Sequence, residues 1–125
     1  MAVKAVFNGV RMSPRKVDVV AALVRGRSVA DAITILDHTP RRAAIAVKKA
    51  VTSAKANAEH NHIYKPDSLF ISEISVTAGV RYKRYRAAAR GRALPFARQT
   101  SQIRVIVDDD KRVPKKPATA ARETK

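Results

Sequence analysis

Near the start of the chain apolar residues fall at every second position. Val3, Ala5 and Phe7 alternate with Lys4, Val6 and Asn8, the period of a half-buried strand, and the Asn8-Gly9 turn signal should end it. The period then changes. Val17, Val20, Ala21 and Val24 stand at i, i+3, i+4 and i+7, one stripe of a helix opened by Ser13-Pro14 and stopped by Gly26. Ser13 can accept a hydrogen bond from first-turn amides, and Pro14 sits where its missing N–H costs nothing. Ser28 is placed to cap a shorter helix carrying Val29, Ala32, Ile33 and Leu36, which ends before Thr39-Pro40. A third helix is predicted from about 41 to 60. Its apolar line is Ala43, Val47, Ala50, Val51, Ala54 and Ala58, small enough for close packing, while Lys48, Lys49 and Lys55 lie elsewhere on its surface.

Beyond a loop at 61–67, the stretch 69–77 is rich in Ile, Val, Thr and Phe and predicts a strand with Phe70, Ile74 and Val76 on one side. Ile103, Val105 and Val107 repeat that character, and the two stretches form a natural antiparallel pair. Runs of like elements predict an α+β fold: a small three-stranded antiparallel sheet packed on three helices, with a long protruding β-hairpin. The expected organisation is one domain over 1–110, including a hairpin arm at 79–101. A polar tail at 111–125 has a disordered composition.

Charge adds what periodicity cannot. Lys and Arg number 26 against 10 Asp and Glu, a net charge of +16 that calls for a polyanionic partner. With 46% hydrophobic residues the chain still has enough apolar side chains for a core. There is no cysteine, which removes disulfides and thiolate metal sites. Apolar runs fall short of the ~20 residues of a membrane span, and residues 1–7 alternate instead of forming a signal-peptide core. A soluble cytoplasmic protein without a membrane partner is expected.

The cations are not spread evenly. From Ile74 to Val107 there is no acidic residue, whereas Arg81, Lys83, Arg84, Arg86, Arg90, Arg92 and Arg98 crowd the middle. A solvated face usually mixes both signs, so this segment reads as a binding arm. Arginine suits bidentate phosphate contacts and stacking on bases, and Tyr82, Tyr85 and Phe96 offer stacking surfaces of the kind used on RNA. Ala87, Ala88, Ala89, Gly91 and Ala93 keep the tip narrow.

Five stretches carry a resemblance: Ser13-Pro14-Arg15-Lys16, Arg25-Gly26-Arg27, Ala43 to Lys49, Asn57-Ala58-Glu59-His60-Asn61, and Arg90-Gly91-Arg92-Ala93 followed by Thr100-Ser101. In this order and spacing the chain resembles the bacterial large-subunit ribosomal protein twenty-two family, over nearly all residues up to about Asp108. The resemblance implies a structural constituent of the large ribosomal subunit in the cytoplasm. It would bind large-subunit ribosomal RNA and aid its assembly. It also implies a body beside the peptide exit tunnel and an arm threaded inward between RNA segments. The tip, Ala88, Ala89, Arg90, Gly91, Arg92 and Ala93, would line the tunnel wall, where changes can affect macrolide antibiotics. Neighbouring large-subunit proteins and the nascent peptide passing the tip would be its other partners, with no homo-oligomer and no cofactor. Asp18, Ala88 and Gln102 depart from the residues usual in that family.

The RNA-contacting residues expected on these grounds lie in three groups. Arg11, Ser13, Arg15, Lys16, Arg25 and Arg27 belong to the first helix and its flanks. Lys48, Lys49, Lys55, Asn57, His60 and Asn61 belong to the third, and Arg81, Lys83, Arg84, Arg86, Arg98, Thr100 and Ser101 to the arm. Arg15 and Lys16 oppose the dipole of their own helix, an arrangement that a bound phosphate relieves. The rival reading is an architectural DNA-binding protein whose β-arm wedges Pro95 or Phe96 between base steps. DNA-bending arms normally work as symmetric dimers, and no apolar surplus for a dimer face is evident. Glu59-His60-Asn61-His62 spells a nuclease-like string, but consecutive residues at a helix end diverge and no second cluster completes a site. No enzyme activity and no metal site are expected.

Overall fold

The last strand in sequence is the central one. A computed structural model describes residues 2–109 and orders the sheet β1-β3-β2, with both pairings antiparallel. The elements are β1 (Val3–Val10), α1 (Pro14–Val24), α2 (Val29–His38), α3 (Arg42–His62), β2 (Phe70–Ala87) and β3 (Ala93–Asp108). Single 3-10 turns lie at Pro66–Ser68 and Ala89–Gly91. The α+β expectation therefore holds, and the tail expected at 111–125 lies outside the described residues.

Alternation decides which sheet face is covered. Val3 and Ala5 of β1, Ile103, Val105 and Val107 of β3, and Ile71 and Ile74 of β2 are all buried beneath the helices, while Lys4, Glu73 and Arg104 face solvent. Helix α1 packs on β2 and β3, α3 on β1 and β3, and α2 on α3. The helical stripes fall as the spacing requires: Val17, Val20, Ala21 and Val24 are buried, as is the alanine-rich line of α3 from Ala43 to Ala58. One further contact ties the helical layer to the sheet. Val29 donates to the Leu69 carbonyl at 3.0 Å and Ile71 to that of Arg27 at 2.8 Å, which covers the start of edge strand β2.

Several local expectations are corrected. Asn8-Gly9 does not end β1. Gly9 takes φ +74 within a register shift between Phe7 and Val10, a bulge after which Val10 still pairs with Ser101. A second shift between Ile71 and Glu73 brings Ile71 inward in place of Phe70, since one extra residue exchanges the faces of a strand. Ser28 caps α2 as expected, accepting from the Asp31 amide at 3.2 Å, but the Ser13 side chain makes no capping bond on α1. Helix α3 runs two residues further than the pattern suggested. It closes through Ile63 at φ 56, with the Tyr64 amide donating to the Ala58 carbonyl at 3.2 Å.

A candidate nucleic-acid interface

The arm begins where β1 leaves off. Val10 of β1 pairs with Ser101, and the β2–β3 pairs from Arg81–Gln99 to Ala87–Ala93 then continue as a two-stranded ribbon. Nine residues of β2, from Gly79 to Ala87, reach roughly 30 Å at ~3.3 Å each. No side chain from 80 to 99 is buried. The ribbon closes on Ala89–Gly91, with Arg90 at φ 58, Gly91 at φ 67, and the Ala88 amide donating to the Arg92 carbonyl at 2.9 Å. The residues expected at the tip, Ala88 to Ala93, do form it.

A bulge sets the arm on the body. Between the Ala78–Ser101 and Arg81–Gln99 pairs, β2 carries one more residue than β3. The Thr100 hydroxyl donates to the Val80 carbonyl at 2.7 Å, and a Cβ on Gly79 would come within 2.6 Å of that hydroxyl oxygen. Glycine is therefore required at Gly79 for close approach, since its φ is ordinary.

Register divides the arm into two unlike faces. The pairs Tyr82–Arg98, Arg84–Phe96 and Arg86–Leu94 place these six side chains on one face, and Arg81, Lys83 and Tyr85 lie on the other. On the first face arginines cover aromatic rings: Arg84 lies 5.8 Å from the Tyr82 centroid and Arg86 5.3 Å from that of Phe96. Tyr85 is 74% exposed.

The body meets the first face with two more arginines. The Met12 amide donates to the Val10 carbonyl at 2.8 Å, so Arg11 stands at the apex of a three-residue turn. Arg42 opens α3. Arg11, Arg42, Tyr82, Arg84, Arg98 and Thr100 help line a cleft of about 800 Å3 between body and arm root. An adjoining hollow of about 260 Å3 shares Arg11 and Arg42 and adds Met12, Ile45 and Lys49. Neither α1 nor α3 has an acidic residue in its first turn or a side-chain cap, so both present amides and cations together. Arg42 escaped the sequence reading. Its signal was the one noticed at Arg15-Lys16: the adjacent cations Arg41-Arg42 follow Thr39-Pro40 at a helix start.

Other expected residues are engaged within the fold. Arg25 donates from Nε and Nη2 to the Ile74 carbonyl at 3.3 and 3.1 Å and pairs with Asp18 at 3.1 Å. Arg27 donates to the Leu23 carbonyl at 2.9 Å, Lys48 pairs with Asp37, and Lys55 lies 3.7 Å from Glu59. These pairs are partly exposed, which leaves their outer edges open to a further anion. Asn57, His60 and Asn61 lie in the last turns of α3, Asn57 half-buried and the others exposed. His62 stacks on Tyr64 at 5.8 Å between centroids. Thr100 and Ser101, expected to touch RNA, are buried at 6% and 0% exposure, so their hydroxyls belong to the root of the arm and not to its surface.

Comparison with known proteins decides the family. The family described as ribosomal protein L22p/L17e matches residues 5–108. The chain belongs to it. Similar proteins include the large ribosomal subunit protein uL22 of Oceanobacillus iheyensis, 49% identical over 111 residues, which are 89% of this chain and 98% of that protein. The uL22 of Herpetosiphon aurantiacus is 46% identical over 109 residues, 87% of this chain and 96% of its own. As a member of this family the chain is a structural ribosomal protein of the cytoplasm and not an enzyme.

Proposed function

We propose that this protein is built into the large ribosomal subunit, binds its RNA and holds separate RNA segments together around the arm. The observation that carries the proposal is an acid-free ribbon reaching roughly 30 Å from the body, with no side chain buried from 80 to 99. A two-stranded ribbon is marginal alone in water, and its cations lie within the ~8 Å screening length of one another. Enclosure by phosphates removes both difficulties. Its exposed aromatics and arginines suit single-stranded or irregular RNA, whose bases are free to stack.

The body adds the exposed cations and amides at the starts of α1 and α3, the outer edges of Arg25, Arg27, Lys48 and Lys55, and the polar end of α3 at Asn57, His60 and Asn61. The narrow tip, Ala88 to Ala93, is assigned to the wall of the peptide exit tunnel, beside another ribosomal protein and the nascent peptide. Family membership leaves the architectural DNA reading without support. The test is co-sedimentation: in cell extract, tagged protein should travel with large ribosomal subunits and not with DNA. Recovery with DNA instead would refute the proposal.

A further inference from the structure

The cleft at the arm root presents a problem that the fold does not solve. Arg11, Arg42, Arg84 and Arg98 converge there from three parts of the chain, and among the described residues no ion pair joins any of them to a carboxylate. Two backbone devices create the convergence. The Gly9 bulge and the turn at Arg11 point β1's exit toward α3, and the Gly79 bulge with the Thr100–Val80 bond fixes the root of the arm beside it. The geometry points to a binding site for a turn of single-stranded RNA, with two or more consecutive phosphates held by the four arginines and one unpaired base against Tyr82.

Four observations support that occupant. The volume of about 800 Å3 lies in the ~300–1,000 Å3 range of small-ligand sites, the scale of a nucleotide and its neighbours. Guanidinium groups present planar donor forks matched to phosphate oxygens. Tyr82 is 49% exposed, and the Arg84 guanidinium over its ring offers a second planar surface on which a base can stack. Thr100, at the floor, spends its hydroxyl on Val80 and so supplies shape instead of readout. This inference rests on the RNA-binding reading and refines it to one place and one form of RNA.

The full-length chain is titrated with a uridine hexanucleotide, with a blunt RNA duplex carrying as many phosphates, and with inorganic pyrophosphate. The hexanucleotide should bind at least fivefold tighter than either, and its titration should shift the Gly9 and Thr100 amide resonances. Replacing both body arginines, R11Q with R42Q, should weaken the hexanucleotide at least tenfold and lower its salt slope by about 1.4, at ~0.7 per phosphate contact on single strands. K4Q with R104Q removes the same charge from the solvent face of the sheet and should cost less than twofold. Y82A should weaken binding severalfold and Y82F should restore it. Equal loss in the two double variants, equal affinity for pyrophosphate, or unmoved Gly9 and Thr100 resonances would overturn the site. If the wild-type chain also binds no large-subunit RNA, the broader reading fails as well; if it binds that RNA normally, only the cleft assignment falls.

Discussion

Gly79 and Thr100 hold the arm in place through one contact. A methyl group on Gly79 meets the Thr100 hydroxyl at 2.6 Å, so Gly79→Ala should cost about 1–3 kcal/mol by overpacking, read from chemical denaturation. In a Thr100→Ala background that cost should shrink, because the clashing atom is gone; full additivity would show the steric account to be wrong. Ser101 behaves differently. Its hydroxyl is fully buried with no hydrogen-bond partner among the described residues, so Ser101→Ala should leave stability equal or raise it by up to about 1 kcal/mol. Its RNA affinity should not change. A tenfold affinity loss in a stably folded Ser101→Ala chain would restore Ser101 as a contact. Sequence reading placed both hydroxyls on the RNA because motif position says nothing about depth, which depends on where β1 stops pairing.

At the scale of elements, the helices were legible and the strand faces less so. The stripes of α1, α2 and α3 were readable because a period of 3.6 tolerates an error of one residue at either end. Strands have no such tolerance. The bulges at Gly9, between Ile71 and Glu73, and at Gly79 each exchange faces, and long-range pairing with β3 decides them. The arm's length was legible from its lack of acids. Its two unlike faces were not, since register alone sorts Tyr82, Arg84 and Phe96 from Arg81, Lys83 and Tyr85. The same division separates stability from binding within β3. Ile103→Ala should cost about 2–5 kcal/mol, whereas Phe96→Ala, seven residues earlier on the open ribbon, should stay within about 0.5 kcal/mol. Thermal unfolding distinguishes them, and similar losses in both would mean that the arm packs on the body.

Over the whole molecule, core and charge are kept apart. The buried residues form one cluster shared by all three helices and all three strands, and the arginine-rich ribbon at 80–99 lies outside it. A globule without residues 82–94 should therefore keep a cooperative unfolding transition, because none of them is buried. The convergence of Arg11 and Arg42 with the arm was invisible in the sequence. It depends on strand order β1-β3-β2, which sets the exit of β1 next to the root of the ribbon.

The most direct measurement is the affinity of the intact chain and of the chain lacking 82–94 for one large-subunit RNA fragment across a range of salt concentrations. Electrostatic binding by the arm predicts a steep slope for the intact chain, on the order of −0.7 to −0.9 per phosphate engaged, and a clearly shallower one after deletion. A shallow slope for the intact chain, or the same slope in both, would contradict the claim that the arm's charge is what binds.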